Sequence, residues 1–193
     1  MKKLLTWSTA CAVVFLFPRA WAGAVTRPID ATRSQLTVLA YKSGLFSALA
    51  HDHVIRAPIA GGSLSVDEPQ SVELIVRVAD LEVLDPTLAA GKRPEVRARM
   101  LSADVLDAAR FPEISFRSTS IAPQGTDRWK VAGDLSLHGV TKPTSFFVEG
   151  KGGRYRGAAT LRQSDFGIAP ISIAGGTVKV KDEVRIEFEI VAQ

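Results

Sequence analysis

Three side chains that could bind a metal ion or transfer protons, His51, Asp52 and His53, stand together in the segment SALAHDHVIRAPIAGG. In an extended chain, residues two apart project to the same side, so the two imidazoles could share one metal ion. No third and fourth ligand is evident, and the only other histidine is His138. Two other interpretations are open: loop residues bonded to backbone and water, or polar groups at the entrance of a cavity.

The other candidates for catalysis favour structural roles. Ser47 and Ser164 lack the flanking glycines of a nucleophile elbow. Asp104 and Asp107 flank a predicted helix, where aspartate commonly caps the helix end. No pair of a nucleophile and a base stands out, so we expect no enzymatic activity.

Two groups of charged residues have alternative roles. Arg162 and Asp165 could form an ion pair that orders a bend, or Arg162 could contact a phosphate-like head group. The basic segment GKRPEVRARM is typical of a solvated helix face. Its alternative role is a patch that approaches an anionic membrane surface.

The first 22 residues have the pattern of a secretory signal peptide. Lys2 and Lys3 precede the apolar run LLTWSTACAVVFLF, and the small-x-small sequence AWA ends at Ala22. We expect cleavage after Ala22, which leaves residues 23–193 as one domain in the periplasm. The apolar run is short for a membrane-spanning helix.

Removal of residues 1–22 would change the composition of the chain. Cys11 is the only cysteine among 193 residues, so the remaining chain could form neither a disulfide nor a thiolate site. This segment contains three cationic residues, Lys2, Lys3 and Arg19, and no acidic residue. Its removal would lower the net charge of +4 by three. The near-neutral remainder has no electrostatic basis for binding nucleic acid.

The strongest pattern after residue 22 is alternation with a period of two. In VRIEFEIV, Val184, Ile186, Phe188 and Ile190 share one face and charged residues the other. The segments VELIVRV, WKVAGDLSL and ISFRS alternate in the same way, and weaker versions occur at 36–41, 144–148 and 155–161. Each segment predicts a strand with one apolar face.

About eight antiparallel strands follow from this count, and residues 88–113 predict one or two short helices. The apolar faces must pack against a second sheet or close into an all-β barrel. A barrel of about eight strands is either filled by side chains or open to one small ligand. Ala40, Gly133, Gly157 and Ala159 fall at inward positions, where small residues fit a cavity or a tight corner.

Several motifs together resemble the YceI-like family of exported polyisoprenoid-binding proteins. They are SALAHDH, MLSADVLDAARFPEISFRS, VAGDLSLHGVTKP, LRQSDFGI and VKVKDEVRIEFEI, and their order matches the family from about residue 31 to residue 191. The resemblance implies an extended, lipocalin-like antiparallel β-barrel. It also implies a long apolar tunnel that holds an isoprenoid or fatty-amide chain, with the polar head near the mouth.

From this resemblance and the strand pattern we predict two sets of ligand-binding residues. The apolar lining would consist of Leu36, Val38, Phe116, Val131, Leu135, Phe146, Leu161 and Phe188. The rim would consist of Phe46, His51, His53 and Arg162. We expect a bound isoprenoid or quinone-like lipid and no other cofactor.

These expectations favour an exported protein that sequesters or carries a long-chain amphipathic lipid. An accessory of membrane redox or stress response, using a quinone or a His-bound metal, is the alternative. A filled barrel that acts only through protein contacts is the third possibility. The expected partners are the lipid, a membrane surface or membrane redox protein, and a second copy of the chain in a homodimer.

Overall fold

The computed structural model describes residues 25–43, 52–68, 70–173 and 178–193. The predicted signal peptide, Phe46 and His51 lie outside these ranges. The described residues form one α-helix, α1 (Arg93–Leu101), short 3₁₀ turns at 78–80, 90–92 and 163–166, and twelve strands. The strands are β1 (Arg27–Pro28), β2 (Gln35–Ser43), β3 (His53–Arg56), β4 (Ile59–Ser65), β5 (Ser71–Arg77), β6 (Glu82–Val83), β7 (Glu113–Pro123), β8 (Arg128–Leu137), β9 (Val140–Lys151), β10 (Arg154–Arg162), β11 (Ser172–Ile173) and β12 (Val178–Val191).

The strands form one antiparallel sheet that closes into a barrel. The sheet order runs β1, β4, β5, β7, β8, β9, β10, β12 and β2, and each strand pairs with the next. Only Ala57 and Pro58 separate β3 from β4, yet the two strands have different partners. β3 pairs with β2, and β4 pairs with β1. Ile29, directly after β1, bridges to Ala192, directly after β12. β1 therefore lies between β4 and the end of β12 and joins the two ends of the meander.

Short polar contacts hold this junction. The Asp30 N–H donates to the Val191 carbonyl at 2.8 Å, and the Gln193 N–H donates to the Pro28 carbonyl at 3.0 Å. The buried Ser34 hydroxyl accepts a hydrogen bond from the Val191 N–H at 2.9 Å. The Asp30 carboxylate accepts from Thr32 Oγ1 and from backbone N–H groups of the turn, so the pKa of Asp30 is lowered. This turn separates β1 from β2.

The predicted fold class is confirmed. β1 with β2, and β3 with β4, act as two interrupted strands, so the barrel has eight segments, which agrees with the predicted count. β6 and β11 are short additions of two residues each. The helical region predicted at 88–113 contains α1 and the 3₁₀ turn at 90–92.

The basic residues around α1 hold the helix on the barrel. Arg97 Nε donates to the Leu81 carbonyl at 2.8 Å, and Arg93 donates to the Asp85 carbonyl at 3.1 Å. Lys92 forms an exposed ion pair with Glu95. These contacts favour the structural role of the basic segment over a membrane-binding patch. No helix within the described ranges is both long enough and apolar enough to span a membrane.

Two glycines make room for aromatic rings inside the barrel. A Cβ at Gly157 would lie 2.5 Å from Cζ of Phe188, and a Cβ at Gly133 would lie 2.6 Å from Cζ of Phe116. The Phe146 ring lies between these rings, with centroid distances of 5.3 Å to Phe116 and 5.4 Å to Phe188. The three rings form an aromatic belt across β7, β9 and β12. The space beside these glycines is thus occupied by phenyl rings.

A fully buried carboxylate anchors the short strand β3. Asp85 is 0% exposed, and its two oxygens accept from the Val54 N–H and bond to His53 Nδ1, each at 2.6 Å. The neighbouring β3–β6 contact between Arg56 and Glu82 is an exposed ion pair. The buried contacts, and not the exposed pair, are therefore expected to hold this edge of the barrel in place.

Gly157→Ala should destabilise the protein, because the new Cβ would also approach the Phe147 carbonyl oxygen at 2.6 Å. Forcing atoms into a packed interior costs about 1–3 kcal/mol, more than the gain of up to about 1 kcal/mol from a less flexible unfolded chain. Urea denaturation measures the difference. Gly61→Ala is the matched control, since a Cβ there meets nothing within 4 Å. Equal stability of the two variants would contradict the belt packing.

Asp85→Ala should lower the free energy of unfolding by about 2–3 kcal/mol, because it leaves the buried Val54 N–H without an acceptor. Glu82→Ala, the control on the same edge, should cost less than about 1 kcal/mol because its ion pair is exposed. Chemical denaturation of both variants checks the contrast. Similar losses in the two variants would show that the buried carboxylate does not anchor β3.

Candidate ligand-binding cavity

A cavity of about 590 Å³ runs through the barrel. Inward-facing side chains of alternate strand residues form most of its wall, as the period of two predicts. Ala40 and Ala159 also face it, so these two small residues leave room for the cavity. The wall includes every residue that we predicted as apolar lining: Leu36, Val38, Phe116, Val131, Leu135, Phe146, Leu161 and Phe188.

One end of the cavity is covered by apolar side chains. Leu81, Met100, Val105 and Ile168 line this end and are each less than a tenth exposed. They come from α1, the turns around it, and the segment that follows β10. Phe166, in the 3₁₀ turn after β10, packs in one cluster with Val105 and Ile168 and is 3% exposed.

The opposite end, beside β1, carries a group of polar and amphipathic side chains. Arg27, Gln70, Ser71, Trp129 and Tyr155 all line the cavity there. Arg27 is exposed, and the others are partly buried. The Trp129 and Tyr155 rings meet edge to face, with centroids 6.0 Å apart. We call these five residues the polar mouth.

Two groups of the polar mouth have hydrogen-bonding capacity for a ligand. The side-chain oxygen of Gln70 is buried and has no partner among the described atoms, while its nitrogen donates to the Val66 carbonyl at 3.2 Å. Burial raises the pKa of Tyr155 above its usual value, and the charge of Arg27 partly opposes this rise. The Tyr155 phenol is therefore neutral at physiological pH and can donate a hydrogen bond.

His53 lies beyond the wall of the cavity. It pairs with Ala40 across the β2–β3 ladder, so its side chain shares the inner face, but it does not line the cavity. Because Asp85 bonds to its Nδ1, this imidazole would contact any further group through Nε2. The described residues contain no group of three His, Cys, Asp or Glu side chains placed to hold a metal. A role of His53 at a rim stays a prediction.

Arg162 is exposed on the outer surface, away from the wall of the main cavity. Among the described residues its ion-pair partner is Glu183, with Arg162 Nε 3.6 Å from the carboxylate, and not Asp165, which was one of the alternatives. Glu183 lies directly opposite Arg162 in the β10–β12 ladder, and cross-strand neighbours are close enough to pair.

Arg162 lines an outer cleft of about 410 Å³. Thr144 and Leu161 line both this cleft and the main cavity. We define the outer cleft by its lining residues, which are Lys142, Pro143, Thr144, Ser145, Thr160, Leu161, Arg162, Asp165, Phe166 and Glu183.

The polar mouth is not among the sites predicted from the sequence. Trp129 and Tyr155 stand at inward positions near the ends of predicted strands, and an aromatic ring with a polar tip there indicates an opening. Arg27 carries no such signal, because it reaches the cavity only through the closure of the barrel at β1. Gln70 carries none either, because a polar residue directly before a strand is ordinary in a turn.

Comparison with known proteins gives a consistent result. A family model described as the YceI-like domain matches residues 28–192. A UPF0312 protein of Vibrio parahaemolyticus is 31% identical over 136 residues, which cover 65% of this chain and 68% of the relative. A UPF0312 protein of Pseudomonas savastanoi is 47% identical over 77 residues, which cover 35% of this chain and 40% of the relative.

Solved structures share the fold. The crystal structure of BcnA from Burkholderia cenocepacia matches with a TM-score of 0.62 at 19% identity, covering 86% of this chain and 99% of that chain. The YceI protein of Campylobacter jejuni matches with a TM-score of 0.53 at 14% identity, covering 68% of this chain and 80% of that chain. At these identities the likeness shows the fold alone. Together with the family model, which spans nearly all of the described residues, it establishes that the chain belongs to the YceI-like family.

Proposed function

We propose that this protein binds a long-chain amphipathic lipid, such as an isoprenoid, inside the barrel and sequesters or carries it in the periplasm. The observation that carries the proposal is the cavity of about 590 Å³ lined mainly by apolar side chains. Ligand sites of small molecules typically have volumes of this order. The signal-like pattern of residues 1–22 supports export.

The driving force for binding is the removal of the hydrocarbon chain from water. Each buried CH₂ contributes about 0.8 kcal/mol, and association of two molecules costs about 4 kcal/mol or more. A chain of about ten methylenes gains about 8 kcal/mol by this measure, so a short aliphatic group alone would bind weakly. Long unbranched or isoprenoid chains are therefore the ligand class that the cavity favours.

The polar mouth supports a head group that both donates and accepts hydrogen bonds. The unpartnered Gln70 oxygen is an acceptor, whereas the Arg27 guanidinium and the Tyr155 phenol are donors. A hydroxyl, phenol or amide matches both kinds of group. A quinone, which only accepts, would leave the buried Gln70 oxygen unpaired.

Organic extraction of the purified protein, followed by mass spectrometry of the extract, tests the proposal. We expect a lipid with a long hydrocarbon chain at a stoichiometry near one per protein. Protein stripped of lipid should bind added alkyl amides about fourfold more tightly for each added methylene, which corresponds to about 0.8 kcal/mol per CH₂. No bound lipid, together with affinities independent of chain length, would refute lipid binding in the cavity.

Ala159→Phe should weaken binding of a dodecyl amide at least tenfold, because its side chain would fill part of the cavity. Ala158→Phe is the matched control: it changes the neighbouring residue of β10, which does not line the cavity. Isothermal titration calorimetry measures both affinities. Equal affinities in the two variants would place the bound chain somewhere other than the barrel interior.

A further inference from the structure

The wall of the barrel is incomplete between β9 and β10. Their ladder begins at Lys151 paired with Arg154 and ends at Phe147 paired with Ala158. β9 continues to Val140 and stays paired with β8, and residues 159–162 of β10 stay paired with β12. Residues 140–146 and 159–162 thus face each other without a ladder, and we call this gap the window.

The residues around the window explain why the two strands separate. Pro143 has no N–H to donate, and proline in a sheet is typical of an unpaired strand edge. At the end of β10, Ser164 donates to the Asp182 carboxylate from its N–H at 2.8 Å and from its hydroxyl at 2.6 Å. These hydrogen bonds lower the pKa of Asp182 and hold the end of β10 against β12. The Phe166 carbonyl meets His138 Nδ1 at 3.1 Å and bounds the window at its far end.

The window connects the cavity with the outer cleft. Continuation of the β9–β10 register would place Thr144 opposite Leu161, and these are the two residues that line both spaces. Both belong to the inward-facing sets of their strands, and Ser145 and Thr160 beside them are exposed. Only two side chains of modest size therefore stand between the cavity and the surface at this point.

The window is also a place where the wall can widen without loss of backbone pairing. Where neighbouring strands are paired, separating them breaks ladder hydrogen bonds. At the window those bonds are already absent, so local opening requires side-chain movement, chiefly of the buried Leu161, but breaks no ladder hydrogen bond.

We propose that the window is a lateral portal through which the hydrocarbon chain of the ligand enters and leaves the cavity. This inference rests on the proposed lipid binding and adds the route. The exposed frame of the portal carries two cations, Lys142 and Arg162, and two acids, Asp165 and Glu183. The two positive and two negative charges balance, so the portal does not select for the sign of the charge on the ligand's head group.

A disulfide across the window tests the portal. Ser145→Cys and Thr160→Cys lie opposite each other in the continued register, and a disulfide would hold their Cα atoms about 4.4–6.8 Å apart. The full chain with Cys11→Ser serves as background, because Cys11 is its only natural cysteine. The probe is a dodecyl chain labelled with nitrobenzoxadiazole, whose association and dissociation are followed by stopped-flow fluorescence.

We expect the oxidised double variant to associate and dissociate at least tenfold more slowly than its reduced form, with an equilibrium affinity changed less than threefold. The control is Ser136→Cys with Thr141→Cys, across the paired β8–β9 ladder, where the two hydroxyls lie 2.7 Å apart. Oxidation of the control should leave the rates unchanged. Equal rates of the oxidised and reduced window variant would overturn the portal and point to entry through the polar mouth.

A second variant tests the portal without depending on disulfide formation. Ser145→Cys alone, alkylated with pyrene maleimide, places a bulky group on the exposed side of the window. It should also slow association and dissociation of the probe at least tenfold. Unchanged rates after alkylation would also overturn the portal. If the wild-type protein fails to bind the probe, the proposed lipid binding fails as well, so the two failures are distinguishable.

Discussion

The pairing of residues 27–30 on both sides is the contact on which the architecture depends. On one side this segment pairs with β4, and on the other it pairs with the end of β12. Without it the meander would be an open sheet with an exposed apolar face and two free edges, which is a source of aggregation. With it, the same face becomes the interior of a barrel. The junction is short, so a few backbone hydrogen bonds and the Ser34 contact determine whether an interior exists.

The interior is hollow because its large side chains pack against each other and not across the whole barrel. Phe116 and Phe188 lie over glycines of adjacent strands, so their rings stay close to the wall. The two ends differ in chemistry: buried apolar side chains cover one end, and the polar mouth stands at the other. This asymmetry would give the proposed amphipathic ligand one preferred orientation. The wall between β9 and β10 differs from both ends, because part of it lacks ladder hydrogen bonds.

Local patterns in the sequence predict the strands and the side of each strand that faces inward. The alternation in VRIEFEIV is enough to place Ile186 and Phe188 on the inner face, because a period of two leaves only two choices. Contacts between distant residues are beyond such a pattern. Asp85 and His53 lie 32 residues apart, and Arg162 finds Glu183 across a ladder whose register no local signal gives. The end at which the cavity opens likewise depends on where α1 packs.

The position of Trp129 makes its intrinsic fluorescence a reporter of the polar mouth. The sequence has three tryptophans, and Trp7 and Trp21 both fall within residues 1–22. In a chain that starts at residue 23, all indole emission would come from Trp129, whose ring lies beside Tyr155 where the cavity meets solvent. Its spectrum would respond to the polarity of whatever occupies that place. Occupancy could be followed in unlabelled protein, without any reporter dye.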